Sequence, residues 1–88
     1  MKVIWTEHAE RRLVEWSKKR GITREEIEAI VIAPGQVVAG HSDLWVAQSQ
    51  LREGLLRVPF FDVEGGRRIV TPYWTSRITR YWEAPHAN

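Results

Sequence analysis

The Pro34-Gly35 step divides this chain into two textures, and that division constrains the fold more than any other feature. Proline cannot continue a helix and glycine releases the backbone, so a helix arriving from the N-terminal side has to stop there. Before the step, apolar residues recur at spacings of three and four; after it they alternate. Ala9, Leu13, Trp16 and Arg20 form one helical stripe, closed by Lys18-Lys19-Arg20 and Gly21. Thr6 reads as its N-cap, with Glu7 in the first turn, where a carboxylate suits the helix dipole. Ile22-Thr23-Arg24-Glu25-Glu26-Ile27 then holds a capping box, Thr23 with Glu26, inside an Ile22–Ile27 hydrophobic staple. The second helix turns Ile27, Ile30 and Val31 inward.

Strand signals occupy the rest. Lys2 to Trp5 forms a short strand ahead of the helices. After Gly35 come strands at Gln36 to Ala39, Leu44 to Gln50, Leu55 to Val63 and Arg67 to Trp74. Gly40 to Asp43, Arg52-Glu53-Gly54 and Glu64-Gly65-Gly66 are the turns between them. A last extended or helical piece runs from Arg77 to Trp82. The order β-α-α-β-β-β-β gives an α+β class, with two N-terminal helices packed on an antiparallel sheet. Length sets the whole chain, 1–88, as one domain.

Alternation assigns faces to the two longest strands. It puts Leu56, Val58, Phe60, Val70 and Trp74 under the helices. Arg57, Thr71 and Tyr73 then share the opposite, open face. A slip of one residue in the hairpin would invert part of this assignment.

Composition narrows the setting. There is no cysteine, so disulfides and cysteine-bound zinc are excluded, in keeping with a reducing cytoplasm. MKVIWTEHAE lacks the apolar run of a signal peptide, and no stretch has the roughly 18 apolar residues of a membrane span. Net charge is only +2, but its distribution is uneven. RRIVTPYWTSRITRYWE, near the C-terminal end, sets Arg67, Arg68, Arg77 and Arg80 among Tyr73, Trp74, Tyr81 and Trp82. His8, His41 and His86 have no metal-ligand spacing, there is no acidic cluster, and Gly65-Gly66 is a turn rather than a phosphate loop. Neither a metal nor a cofactor is expected.

The run HAERRLVEWSKKRGITREEIEAIVIAPGQVV, from His8 to Val38, resembles the front half of a small bacterial domain family. In that family a His-Ala pair opens the first helix, Arg-Gly-Ile precedes a Thr- or Ser-capped second helix, and a proline closes it. An Arg-Val in a central strand and a Val-Thr-x-Tyr in the next match Arg57-Val58 and Val70-Thr71-Pro72-Tyr73. The family is described as toxins of the RelE/ParE superfamily, related to BrnT-type toxins, and the resemblance covers nearly the whole chain. It implies a RelE/ParE-like fold, a type II toxin–antitoxin pair with a small antitoxin as partner, and ribosome-dependent cleavage of mRNA. The superfamily also holds gyrase inhibitors and members of unknown activity. A non-catalytic binding module on the same fold is therefore the alternative. Pro72 departs from the family pattern and marks an edge or a bulge in its strand.

Cleavage of RNA without a metal needs a proton acceptor for the 2′-hydroxyl, a proton donor for the 5′-oxygen, and cations on the phosphate. Arg57 is the candidate phosphate clamp, because a guanidinium stays charged and can bind two phosphate oxygens at once. One such donor is worth about 3 kcal/mol in a preorganised site. His8 is the candidate proton exchanger, and Thr71 a catalytic neighbour. Arg77, Arg80, Tyr81 and Tyr73 are the candidate nucleic-acid contacts, through charge and base stacking. The structural alternative for Arg57 is a surface ion pair with Asp62 or Glu64. For His8 it is a hydrogen bond at the helix start, and for the aromatics it is burial in the core.

Overall fold

Capping geometry builds the two long helices as their residues dictate. The computed structural model describes residues 1–84; His86 lies outside them. Helix α1 spans Glu7–Arg20, and Thr6 at its N-cap accepts from the Ala9 N–H. The Thr6 hydroxyl also donates to the Ile69 carbonyl at 3.1 Å, which ties the helix start to the sheet. Gly21, at φ 65°, ends the helix in the left-handed region that glycine takes without steric cost. Helix α2 spans Arg24–Ile32, and both bonds of the Thr23–Glu26 capping box are present. Ile22 and Ile27, the staple pair, are fully buried.

Six strands form one mixed sheet: β1 Lys2–Ile4, β2 Gln36–Ala39, β3 Trp45–Leu51, β4 Gly54–Val63, β5 Gly66–Ile69 and β6 Tyr73–Thr75. The order across it is β1-β5-β4-β3-β2, with β6 also pairing β4. The domain is α+β, and a short third helix, α3 Ile78–Tyr81, closes it. The core lies between sheet and helices. Ala9, Ile22, Ile27, Ile30 and Val31 meet Ala47, Leu56, Val58, Phe60, Ile69 and Trp74. Among the described residues no helix is long and apolar enough to cross a membrane.

Three sequence expectations change. First, the sheet is not purely antiparallel: β1 runs parallel to β5, pairing Lys2 with Gly66 and Ile4 with Arg68. The two-helix connection after β1 carries the chain to the far edge, so β1 is not bound to a hairpin direction. Gly66 makes room for it, since a Cβ there would collide with the Lys2 carbonyl.

Second, the strand expected over Arg67 to Trp74 is two strands separated by Val70-Thr71-Pro72. Along β4, the partners Phe60 and Leu56 are in phase, yet their opposite numbers are Ile69 and Trp74, which are out of phase. One extra residue is therefore absorbed in the break, as in a bulge. Pro72, which has no N–H for a ladder, sits in it. The consequence is that Ile69, not Val70, packs under the helices; Leu56, Val58, Phe60 and Trp74 lie there as expected.

Third, Gly54 is not a turn residue. The turn is Arg52-Glu53, at φ 49° and 61°, a pair of left-handed residues that suits a two-residue hairpin. Gly54 opens β4, and its bare Cα faces the Trp74 ring and the Thr75 carbonyl.

Candidate functional site

The sheet face away from α1 and α2 is not open. Residues of β2, β3 and β4 on that side include Val38, Val46 and Leu55, all buried, and the C-terminal segment folds back onto part of this face. Two glutamines fasten it. Gln48 Nε2 donates to the Tyr81 carbonyl at 3.0 Å and to Gln36 Oε1 at 2.8 Å. Gln36 in turn accepts from the Glu83 N–H at 3.1 Å and donates to the Glu83 carbonyl.

Arg57 stands in the middle of this face. Strand register places it between Gln48 of β3 and Tyr73 of β6. Its Nε donates to Gln48 Oε1 at 2.8 Å, and one terminal nitrogen donates to the Tyr73 phenolic oxygen. The Tyr81 ring lies 4.0 Å from the guanidinium carbon, a cation–π contact. Arg57 is only 8% exposed. No carboxylate pairs with it among the described residues: the Asp62 ion pair goes to Arg67 instead, at 3.5 Å. A buried guanidinium with only neutral partners has no counter-ion, an arrangement that costs free energy until an anion arrives.

There is space for that anion. A cavity of about 500 Å³ opens beside Arg57. Tyr73, Tyr81, Thr71 and His41 contribute its polar groups, and Val46 and Pro59 part of its apolar wall. Among the described residues no Asp or Glu lines it. The pocket thus offers a fixed positive charge, two phenols, one alcohol and one imidazole.

No known protein family, curated protein or solved structure matches this chain. The site has to be read from its own geometry.

That geometry brings together Arg57, Thr71, Tyr73 and Tyr81 of the expected residues. Arg77 and Arg80 are exposed on α3 and its N-cap, flanking the pocket rather than lining it. Arg80 lies 5.4 Å from the Tyr81 ring. Tyr81 is itself half-buried against Arg57, so its ring is committed to the guanidinium as well as to any base. His8 does not join the site. It is exposed near the start of α1, in the helix layer across the sheet from Arg57. Arg67 proves structural: it donates to the Val31 carbonyl at 2.9 Å and stacks on Phe60.

Two site residues escaped the sequence reading. His41 was weighed there only as a metal ligand. Its place in the turn joining β2 to β3 was the available signal, since that turn must lie at one end of the sheet face. Gln48 is fully buried, and its signal was an amide two residues from Val46, on the same face of the strand. Among the described residues no three of His, Asp and Glu gather as a metal-ligand cluster.

Proposed function

We propose that this domain binds RNA through its phosphodiester backbone and cleaves it, as the toxin of a type II toxin–antitoxin pair. The observation that carries the reading is Arg57: a buried guanidinium without a carboxylate partner, at the edge of a cavity lined by hydroxyls and an imidazole. Phosphate supplies what Arg57 lacks, a negative charge with two oxygens for its donors. The cavity's lining holds proton-exchanging groups but no carboxylate to carry a cation, which supports metal-independent transesterification. Arg77 and Arg80 extend positive charge along the flank, where a single strand would leave the pocket. The order of two helices followed by a meander, with Arg57-Val58 in a central strand, supports a RelE/ParE-like topology. In this reading the substrate is mRNA on the ribosome, the setting is the cytoplasm, and a small antitoxin neutralises the domain by covering the Arg57 cavity.

The test is induced expression in a bacterial host, wild type beside Arg57→Ala and Arg57→Lys, with growth recorded and RNA sequenced for new 5′ ends. The expected result is arrest with new cleavage sites, lost in Arg57→Ala. Circular dichroism on each purified variant separates lost chemistry from lost fold. Growth arrest without RNA cleavage would transfer the reading to gyrase or another protein target. RNA binding that weakens in Arg57→Ala, with neither arrest nor cleavage, would make the domain a binding module. Binding by charge also has a signature: log affinity should fall with log salt at a slope of about −0.7 per neutralised phosphate of a single strand.

A further inference from the structure

Three kinds of side chain in the Arg57 cavity can take part in proton transfer: the imidazole of His41, the phenols of Tyr73 and Tyr81, and the hydroxyl of Thr71. Their surroundings are not equivalent. The Tyr73 oxygen accepts a hydrogen bond from Arg57. A phenol has one proton of its own to donate. With Arg57 occupying an acceptor position, that proton is left for another partner, and the cavity is where Tyr73 faces. Tyr81 is instead used as a ring, stacked on the guanidinium. Aliphatic hydroxyls such as Thr71 are too weak as acids and bases to serve near neutral pH.

His41, an exposed residue, also lines the cavity. Its backbone is fixed by a tight turn: the Gly40 N–H donates to the Leu44 carbonyl at 2.8 Å, and the Leu44 N–H to the His41 carbonyl at 3.0 Å. Ser42 holds the turn at φ 55°. The imidazole makes no side-chain hydrogen bond to any described residue, so it is available to a ligand. Imidazole is also the side chain that exchanges protons near neutrality. His8, on α1, lies in the helix layer across the sheet from the cavity.

We infer that His41 and Tyr73 are the proton-transfer pair of the cavity, His41 as general base and Tyr73 as general acid, about a phosphate held by Arg57. The inference rests on the ribonuclease reading above and deepens it. His41 takes the proton of the ribose 2′-hydroxyl. That oxygen forms a bond to phosphorus, and the bond from phosphorus to the 5′-oxygen breaks. The leaving 5′-oxygen takes the Tyr73 phenolic proton. The products are a 2′,3′-cyclic phosphate and a 5′-hydroxyl. Water then returns the proton from imidazolium to phenolate, so the enzyme is restored with no redox change. Arg57 meets the charge that develops on the phosphate and on the phenolate oxygen beside it.

The experiment uses programmed ribosomes carrying an mRNA with one defined cleavage site, and the full-length domain as wild type, His41→Ala, Tyr73→Phe and Arg57→Ala. A second mRNA carries sulfur in place of the 5′-bridging oxygen at that site; a thiolate leaves without protonation. His41→Ala should lose about 100-fold in rate or more, with part of the loss recovered on adding free imidazole. Tyr73→Phe should lose about as much on the oxygen substrate and little on the sulfur one. Fragment ends should be cyclic phosphate and 5′-hydroxyl. A His41→Ala rate near wild type, or equal loss by Tyr73→Phe on both substrates, would overturn the pair. If Arg57→Ala alone fails to cleave, the ribonuclease reading stands and this assignment falls. If the wild type does not cleave, both fall.

Discussion

Replacing Gln48 by Met would test how the covered face is held together. Methionine keeps the length and unbranched shape of glutamine, so the fully buried site is not emptied. What it removes is an amide with three bonds. Gln48 accepts from Arg57 Nε at 2.8 Å, and donates to the Tyr81 carbonyl at 3.0 Å and to Gln36 Oε1 at 2.8 Å. The bond to the guanidinium is charge-assisted, worth about 1.5–3 kcal/mol, and the two neutral bonds about 0.5–1.5 kcal/mol each. Arg57 Nε would be left buried without its acceptor, and methionine sulfur is too weak an acceptor to replace the carbonyl. A total loss of about 3–5 kcal/mol follows. A domain of this size has roughly 4–13 kcal/mol in all. At ~4–8 °C per kcal/mol, the melting midpoint should fall by at least ~12 °C. Thermal melting and urea denaturation followed by far-UV circular dichroism would read it. A fall under ~4 °C, corresponding to less than ~1 kcal/mol, would show that the C-terminal segment holds without the amide.

Other perturbations have separate physical grounds. Thr23→Ala removes one arm of the capping box and should cost about 1 kcal/mol in urea denaturation. Gly54→Ala puts a Cβ against the Thr75 carbonyl and the Trp74 ring; a loss of about 1–3 kcal/mol is expected, and an unchanged midpoint would mean that β6 shifts freely. Glu26 sets a pH dependence. Burial pushes its carboxyl up, but the hydrogen bonds from Arg52 and the Thr23 N–H outweigh that, and the pKa lies below the ordinary glutamate value. Because the folded pKa is the lower one, the stabilisation is full above the unfolded pKa and is lost as pH falls through the folded one. Glu26→Gln should therefore be less stable than wild type near neutrality, with the gap closing on acidification; a constant gap in denaturation series would contradict this.

Local signals and pairwise alternation carried much of this fold, and their limits are visible at particular residues. Thr6, Gly21, Thr23 and Glu26 mark helix ends within a few residues of themselves, so both helices could be read directly. Arg57, Thr71 and Tyr73 were placed on one face correctly, because Tyr73 is Arg57's direct partner across β4 and β6. Val70 was expected under the helices and Ile69 takes that place, since the extra residue at the break puts Ile69 and Trp74 out of phase. Pro72 hinted at that break but did not give its size. Alternation assigns a face and says nothing about what covers it. The return of Tyr81 and Glu83 over Gln36 and Gln48 was therefore not legible, and neither was the burial of Arg57. Nor could periodicity bring His41 to the cavity, because a turn residue has no phase.

The attachment of the chain's first strand has a kinetic consequence. Among the described residues β1 has no sheet neighbour but β5, and the Thr6 hydroxyl that follows it reaches the Ile69 carbonyl across 63 residues. Contacts so distant in sequence close late, and they slow folding relative to a helical domain of equal size. During synthesis α1 and α2 can form from their own caps, but they have no complete sheet to pack on until β5 has been made. Tyr73 comes later still, and without it Arg57 lacks its phenol. A nascent or truncated chain ending before β6 would carry the guanidinium without the partner that orients it. The Arg57 cavity would then be assembled only once β6 and α3 have been made.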